Sequence, residues 1–185
     1  KYNWGFETAP EPFLNNRAMN CPRGKVIGGT SSINGMVYVR GNAQDFDEWE
    51  SSGAAGWNYQ NCLPYFKKFE NHSCRDSEYT GNEGPVAISG GNNMRNPLYR
   101  AFIDAGVDAG YGETLDYNGY CQEGFGQKFM NVDRGIRAST GYSYLKTAKK
   151  RANLTILKHA LVSKIVFEGK TATGIQCEIR GASKL

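Results

Sequence analysis

Apolar side chains recur every three or four residues in two stretches of the chain, and this spacing predicts amphipathic helices. In residues 59–69 they form one apolar face, and Asn58 just before them is a residue type that commonly caps helix N-termini. Pro64 predicts that this helix is kinked or divided in two. The second helix is expected to start at the Asn-Pro pair of residues 96–97 and to stop near Gly110.

Two further helices are predicted from composition and capping signals. Residues 44–50 are rich in carboxylates and predict a short acidic helix. Ser139 or Thr140 is expected to cap a helix that runs to about Lys150. The basic run 149–151 then lies at the helix end, where cations complement the negative end of the helix dipole. An anion-binding or membrane-surface patch is the alternative interpretation of that run.

Near the end of the chain the apolar pattern changes to the period of two that is typical of strands. Strands are predicted at residues 154–158, 161–168 and 174–180, with residues 169–172 as a hairpin connection. A further strand is predicted at residues 84–89. Irregular or loop-rich structure is expected over residues 1–22, 71–94 and 111–136. The fold class is therefore predicted to be α/β in the broad sense, a mixed α+β arrangement.

Composition narrows the class of protein. The 185 residues carry a net charge of +4, and 39% of them are hydrophobic. The charge is mild and no basic stripe is interleaved with aromatic residues, so nucleic acid is not an expected partner. There is no run of the roughly 20 apolar residues that a transmembrane helix needs. The first residue is Lys1 and not Met, so we expect the true N-terminus to be missing.

Five cysteines are present, widely spaced and without a C-x-x-C pair. They predict neither a zinc site nor a disulfide framework, and they fit a reducing environment. We therefore expect a cytoplasmic protein without a bound metal. Peripheral association with the inner face of a membrane is an alternative that the sequence leaves open.

The most informative segment is residues 23–36, which read RGKVIGGTSSINGM. Gly28 and Gly29 allow close approach of the backbone to another group, and Thr30 begins a run of small hydroxyl residues. Exposed amides at such a turn suit a pyrophosphate. The spacing matches neither a Walker A loop nor a G-x-G-x-x-G turn. On composition alone, a structural turn and a phosphate-binding loop remain equal alternatives.

The same segment resembles the first signature of the glucose–methanol–choline oxidoreductases, which has a basic-Gly lead, a Gly-Gly pair, small hydroxyl residues and then Asn-Gly. Further similar segments follow in family order at residues 38–49, 63–68, 122–126, 137–140 and 153–156. Within the family, residues 33–36 and 118–124 most resemble the branch whose members oxidise choline. The chain is similar to roughly the middle third of a family member.

That resemblance implies an FAD-dependent enzyme that takes hydride from a primary alcohol such as choline. It implies that the FAD pyrophosphate and ribityl chain are lined by Gly28, Gly29 and Thr30. It places the isoalloxazine ring along Asn34, Gly35, Met36 and Val37, and the adenine against the backbone of Val162. Some family members link flavin to a His where this chain has Ile33, so non-covalent FAD is expected.

The resemblance also implies a domain layout. Residues 1–41 are expected to form an FAD-binding segment and residues 137–185 to return to the FAD-binding domain. Residues 42–136 are expected to cover the flavin and begin the substrate side. The chain lacks the family's upstream G-x-G-x-x-G turn and its downstream catalytic His, so we expect no catalytic residue here and weak or absent FAD binding by the isolated chain.

Other interpretations remain. His72 and His159 are expected to be structural or solvated, since neither falls in a matching segment. A family member acting as a hydroxynitrile-lyase-like enzyme would keep FAD without net redox chemistry. A small non-catalytic nucleotide-binding module is the third alternative.

Overall fold

The computed structural model describes residues 1–179 and 182–184, the last three by their backbone alone. The chain divides into two compact units, Lys1–Thr147 and Ala148–Leu185. The first contains helices and short strands, and the second contains an antiparallel sheet. This mixture of helices and strands confirms the predicted fold class.

Three helices in the first unit begin directly after an asparagine cap, and two of these caps, Asn58 and Asn96, are predicted from the sequence. The helices are α1 (Ala43–Ser51), α2 (Tyr59–Phe69) and α3 (Pro97–Asp108). The side-chain oxygens of Asn42, Asn58 and Asn96 accept hydrogen bonds from backbone amides of the first turns. The α3 helix ends just before Gly110, which adopts the left-handed conformation that a helix stop requires. The predicted division of α2 at Pro64 is wrong, because the helix is continuous through that residue.

The helix predicted from Ser139 or Thr140 to Lys150 is shorter and less regular than expected. It starts as a π-helical turn, Gly141–Leu145, and continues as α4 (Lys146–Ala148). The capping residue is Ser139, whose Oγ accepts from the Tyr142 amide at 3.2 Å. The Thr140 hydroxyl is directed instead to the carbonyl of Gly28, 3.2 Å away.

The first unit also contains several short strands. They are β1 (Phe6–Glu7), β2 (Asn20–Cys21), β3 (Glu70–His72), β4 (Val86–Ile88), β5 (Val132–Asp133) and β6 (Ile136–Arg137). The β1–β2 pair shows regular structure within residues 1–22, where the sequence predicts none, and β4 falls within the predicted strand 84–89. Parallel pairing joins β3 to β4. Met130 then bridges Ser89 on one side and Val37 on the other.

The core of the first unit lies where these backbones meet. Its buried members are Tyr38, Val86, Ile88 and Phe129, and Ile88 and Phe129 have no exposed surface. The Tyr38 amide donates to the Phe129 carbonyl at 2.9 Å. Through this pairing, the chain that leaves the glycine-rich segment is fixed to the core.

A buried ion pair lies beside the core. The carboxylate of Glu70 has no exposed surface and accepts hydrogen bonds from the Arg40 guanidinium and from the Tyr38 hydroxyl, the latter at 2.6 Å. Burial raises the pKa of Tyr38 far above its ordinary value, so its hydroxyl stays protonated and keeps donating. The Arg40 amide donates to Asn118 Oδ1 at 2.8 Å, which links residues far apart in the sequence.

The second unit is a sheet of β7 (Ala160–Glu168), β8 (Thr171–Ile179) and β9 (Ala182–Lys184). The strand predicted at residues 154–158 is wrong, because β9 takes the third position in the sheet and residues 154–158 pair with no described strand. The predicted strand 174–180 corresponds to β8, which starts earlier. Its last predicted residue, Arg180, lies outside the described residues. The hairpin turn is shorter than expected, with Gly169 and Lys170 alone between the strands.

Two register shifts keep most of the apolar residues of β7 and β8 on one face. Ser163 is an extra residue in β7, and Thr173 is an extra residue in β8. Without the first shift, Val162 and Ile165 would lie on opposite faces, since they are three residues apart. With it, the apolar face contains Ala160, Val162, Ile165, Phe167, Ala172, Ile175, Cys177 and Ile179.

Among the helices that the structure describes, none has both the length and the apolar character that crossing a bilayer requires.

The buried pair predicts a large cost for removing one partner. Arg40→Met leaves the Glu70 carboxylate buried without its cation, so we expect the free energy of unfolding to fall by about 3–5 kcal/mol. Arg100→Met, at the solvent-exposed pair with Asp104 and Glu113, is the matched control and should change stability little. Urea titration measures both, and equal effects of the two substitutions would contradict the prediction. The double variant Arg40→Met/Glu70→Leu should lose less stability than Arg40→Met alone.

His72 predicts acid sensitivity. It is 5% exposed, and burial lowers the pKa of its imidazole, an effect that Glu70 and Asp116 only partly offset. As pH falls below about 6.5, the unfolded chain therefore binds more protons at His72 than the folded chain, and stability declines. Between about pH 7.5 and 5.5, His72→Asn should lose less unfolding free energy than the wild type. Urea titration at each pH measures both proteins, and an unchanged pH dependence in His72→Asn would contradict the prediction.

Candidate cofactor-binding loop

Residues 28–32 form a tight turn whose backbone depends on glycine. Gly28 has φ = 90° and Gly29 has φ = 57°, both in the left-handed region that side chains disfavour. A 3₁₀ turn, Gly29–Ser32, follows directly. The chain therefore makes a short turn at the Gly-Gly pair.

The glycines of the segment serve two different purposes. A Cβ on Gly24 would lie 2.2 Å from the Gly29 carbonyl oxygen, and one on Gly28 would lie 2.4 Å from Ser32 Oγ and 3.2 Å from the Gly141 amide. These two glycines are required by contacts within the protein. A Cβ on Gly29 or Gly35 would meet no atom within 4 Å. Open space therefore borders the loop at Gly29 and Gly35.

The small hydroxyl residues hold the turn together from within. Ser31 Oγ donates to the Gly28 carbonyl, and Ser32 Oγ donates to the Ile27 carbonyl at 2.8 Å. Thr30 Oγ1 accepts from the Gly24 amide at 3.2 Å. All three hydroxyl groups are therefore engaged with the loop's own backbone.

A second segment, residues 137–141, supports the loop from more than 100 positions away. Arg137 Nη1 donates to the Asn34 carbonyl at 2.7 Å, to Asn34 Oδ1 at 2.9 Å and to the Ser31 carbonyl at 3.3 Å. The Thr140 amide donates to Ser31 Oγ at 3.0 Å. The sequence predicts a helix cap at Ser139 or Thr140 but gives no sign that residues 137–140 contact the loop. The signal that links the two segments is that both match the family and occur in its order.

The chain leaves the loop through a constrained turn. Asn34 Oδ1 accepts from the Met36 amide at 3.1 Å, and Met36 has φ = 63°, a conformation that is uncommon for a side chain of its size. The Met36 carbonyl accepts from the Asn131 amide at 2.8 Å, and Val37 bridges Met130. These contacts on both sides of Met36 hold the residue in its strained conformation.

Seven of the eight residues proposed from the sequence lie together on this loop and its exit. Gly28, Gly29 and Met36 are half-buried, while the other four, Thr30, Asn34, Gly35 and Val37, are exposed. The eighth, Val162, belongs to the second unit, where it pairs with Cys177 in the β7–β8 ladder and is 49% exposed.

Neither histidine is positioned by the described contacts as a base at the loop. The His72 ring lies edge-on against Phe129, with centroids 4.6 Å apart, and His72 Nδ1 accepts from the Cys74 amide at 3.2 Å. It is therefore a core histidine. His159 is exposed and lies in the second unit. Within the described part of the chain, no group of three or more His, Cys, Asp or Glu residues could hold a metal ion.

Solved structures share this fold. Pyridoxine 4-oxidase from Mesorbium loti is 30% identical with a TM-score of 0.86, over 100% of this chain and 36% of that one. An FAD-dependent oxidoreductase from Chaetomium thermophilum is 29% identical with a TM-score of 0.90, over 99% of this chain and 34% of that one.

Curated proteins are more similar in sequence. The oxygen-dependent choline dehydrogenase of Vibrio vulnificus is 58% identical over 182 residues, covering 98% of this chain and 32% of that protein. The oxygen-dependent choline dehydrogenase of Chromohalobacter salexigens is 52% identical over 187 residues, covering 100% and 33%. The chain thus spans about a third of the length of these relatives. The GMC oxidoreductase family model matches residues 8–184. The resemblance found in the sequence is confirmed: the chain belongs to the GMC oxidoreductase family.

Proposed function

We propose that this chain supplies the flavin-facing wall of an FAD-dependent enzyme that oxidises a primary alcohol, of which choline is the best candidate, to an aldehyde. The observation that carries the proposal is the open side of the loop at Gly29 and Gly35, in a chain 58% identical to an oxygen-dependent choline dehydrogenase. Family membership implies a flavin cofactor.

The residues of the loop fit such a cofactor. The missing side chains of Gly29 and Gly35 leave room for a flat ring system and its diphosphate to approach the backbone closely. We assign Gly28, Gly29 and Thr30 to the pyrophosphate and ribityl chain. We assign Asn34, Gly35, Met36 and Val37 to the isoalloxazine ring, and the backbone of Val162 to the adenine.

When bound, FAD supplies the hydride acceptor for alcohol oxidation. The residues of this chain bind and orient the cofactor. The exposed side chain of Val37 excludes water from it. Removal of the alcohol proton needs a base within hydrogen-bond reach. Because His72 is buried in the core and its Nδ1 is occupied, we place that base outside this chain. The isolated chain is accordingly proposed to be inactive and to bind FAD weakly.

The domain layout follows from the same assignment. We propose that residues 1–41 and 137–185 belong to the FAD-binding domain, and that residues 42–136 begin the substrate side. The names of the similar proteins are those of dehydrogenases and oxidases, which favours net oxidation over a lyase reaction or a non-catalytic module. A cytoplasmic location at the inner face of a membrane remains a prediction.

The reaction and the mode of flavin attachment can be tested together on the full polypeptide that carries this chain. Under anaerobic conditions, choline should bleach the visible flavin absorbance, because hydride transfer reduces the ring. Denaturation followed by ultrafiltration should release all FAD into the filtrate, since Ile33 has no nucleophilic atom for a covalent bond. A protein purified without flavin, or a flavin that no alcohol bleaches, would refute the function. Flavin retained with the denatured protein would refute non-covalent binding.

Gly35→Leu tests the assigned surface. The protein leaves open space around the Cβ position of residue 35, so the melting temperature of the apoprotein should stay close to that of the wild type. The side chain would occupy the space assigned to the ring, so FAD affinity should fall at least about tenfold, as expected for an overpacked contact. Gly112→Leu, at an exposed glycine that likewise has no atom within 4 Å of its Cβ position, is the matched control. Equal FAD affinities of the two variants would contradict the assignment.

A further inference from the structure

Arg137 makes an unusual set of contacts for a half-buried arginine. One nitrogen, Nη1, donates to three oxygens of the loop, and no acidic side chain is among them. Two of the three acceptors belong to one residue, Asn34, through its backbone carbonyl and its side-chain Oδ1. Hydrogen bonds from a charged donor are roughly twice as strong as neutral ones. Arg137 therefore fixes Asn34 more firmly than a neutral partner could.

The side chain of Asn34 is held from two directions. Its Oδ1 accepts from Arg137 at 2.9 Å and from the Met36 amide at 3.1 Å. With both donors on the oxygen, the orientation of the amide group is defined and its NH₂ is directed away from them. Asn34 is exposed, and among the described residues its Nδ2 has no hydrogen-bond partner. The NH₂ group is thus a donor that is oriented but not used within the protein.

The position of Arg137 is fixed by its own short hairpin. It ends β6, which pairs with β5 through Val132 opposite Arg137 and Asp133 opposite Ile136. The following residue, Ala138, is buried and its amide donates to the Asn131 carbonyl at 2.9 Å. Asn131 in turn donates to the Met36 carbonyl at 2.8 Å. These two hydrogen bonds, which meet at Asn131, connect the hairpin that carries Arg137 to the exit of the loop.

We propose that Arg137 is a positioning residue for the flavin, acting through Asn34: it orients the Asn34 amide so that its NH₂ donates to an acceptor atom of the isoalloxazine, and it adds a fixed positive charge beside the ring. This inference rests on the proposed function, because Asn34 faces a flavin only if the loop does. Arg137 is not among the residues assigned above to contact the flavin.

The test uses the full polypeptide, from which FAD is removed and then titrated back while flavin fluorescence and the visible absorption spectrum are recorded. Arg137→Met should weaken FAD binding by roughly 10- to 100-fold, the effect of losing hydrogen bonds from a charged donor, and should shift the absorption bands of the bound flavin. Arg137→Lys, which keeps the charge and a donor, should recover a large part of the affinity. Arg134→Met, in the same hairpin at an exposed ion pair with Asp133, should bind FAD like the wild type.

A purely structural role would give a different result. It would lower the melting temperature of the Arg137→Met apoprotein while leaving the spectrum of the flavin that still binds unchanged, and that outcome overturns the proposal. Equal FAD affinity in Arg137→Met and Arg134→Met also overturns it, while the proposed function stands. Failure of the wild-type protein to bind FAD refutes the proposed function itself.

A second variant keeps the proposal testable if Arg137→Met does not fold. Asn34→Ala removes the side chain through which Arg137 is proposed to act. In that background, Arg137→Lys should change FAD affinity less than it does in the wild type, because the two residues share one contact. Fully additive effects on FAD affinity would overturn the proposal.

Discussion

The buried carboxylate of Glu70 is the constraint on which the first unit depends. A charge without solvent contact must be compensated inside the protein, and it is compensated by Arg40 and Tyr38. Both partners lie just beyond the glycine-rich loop, on the same short piece of chain. Satisfying the carboxylate therefore fixes where the loop's exit runs, and the loop inherits its position from an ion pair that it does not touch.

From that fixed exit, the shape of the loop is determined by contacts of two kinds. Glycines at 24 and 28 allow the chain to fold against itself, and hydroxyl groups close the turn by donating to its carbonyls. The side of the loop that packs against the protein, its inner side, is thereby held by contacts within the protein. The outer side, at Gly29 and Gly35, stays open. A binding surface that is formed before its ligand arrives requires a rigid side that packs on the protein and an open side that can receive the ligand.

Features whose sequence signals act over a few residues could be predicted, and features that depend on distant residues could not. The starts of α2 and α3 follow from Asn58 and Asn96, because a cap acts within one turn. The roles of Arg137 and Thr140 could not be predicted, since their partners lie more than 100 residues away. The apolar run 154–158 resembled a strand in isolation, but a strand forms only where a neighbour accepts its hydrogen bonds. For the loop, the residues alone are compatible with a structural turn and with an anion site, and the structure shows the turn.

The paired register shifts of the terminal hairpin bear on how its sequence can change over evolutionary time. Ser163 and Thr173 each add one residue to opposite strands. Because each is the extra residue of a bulge, deleting either one restores regular alternation and leaves Ile165 and Phe167 on the apolar face. Loss of one residue should therefore be tolerated at each of these two positions independently of the other. The bulges are thus the places where this hairpin can shorten without changing which side chains its apolar face presents.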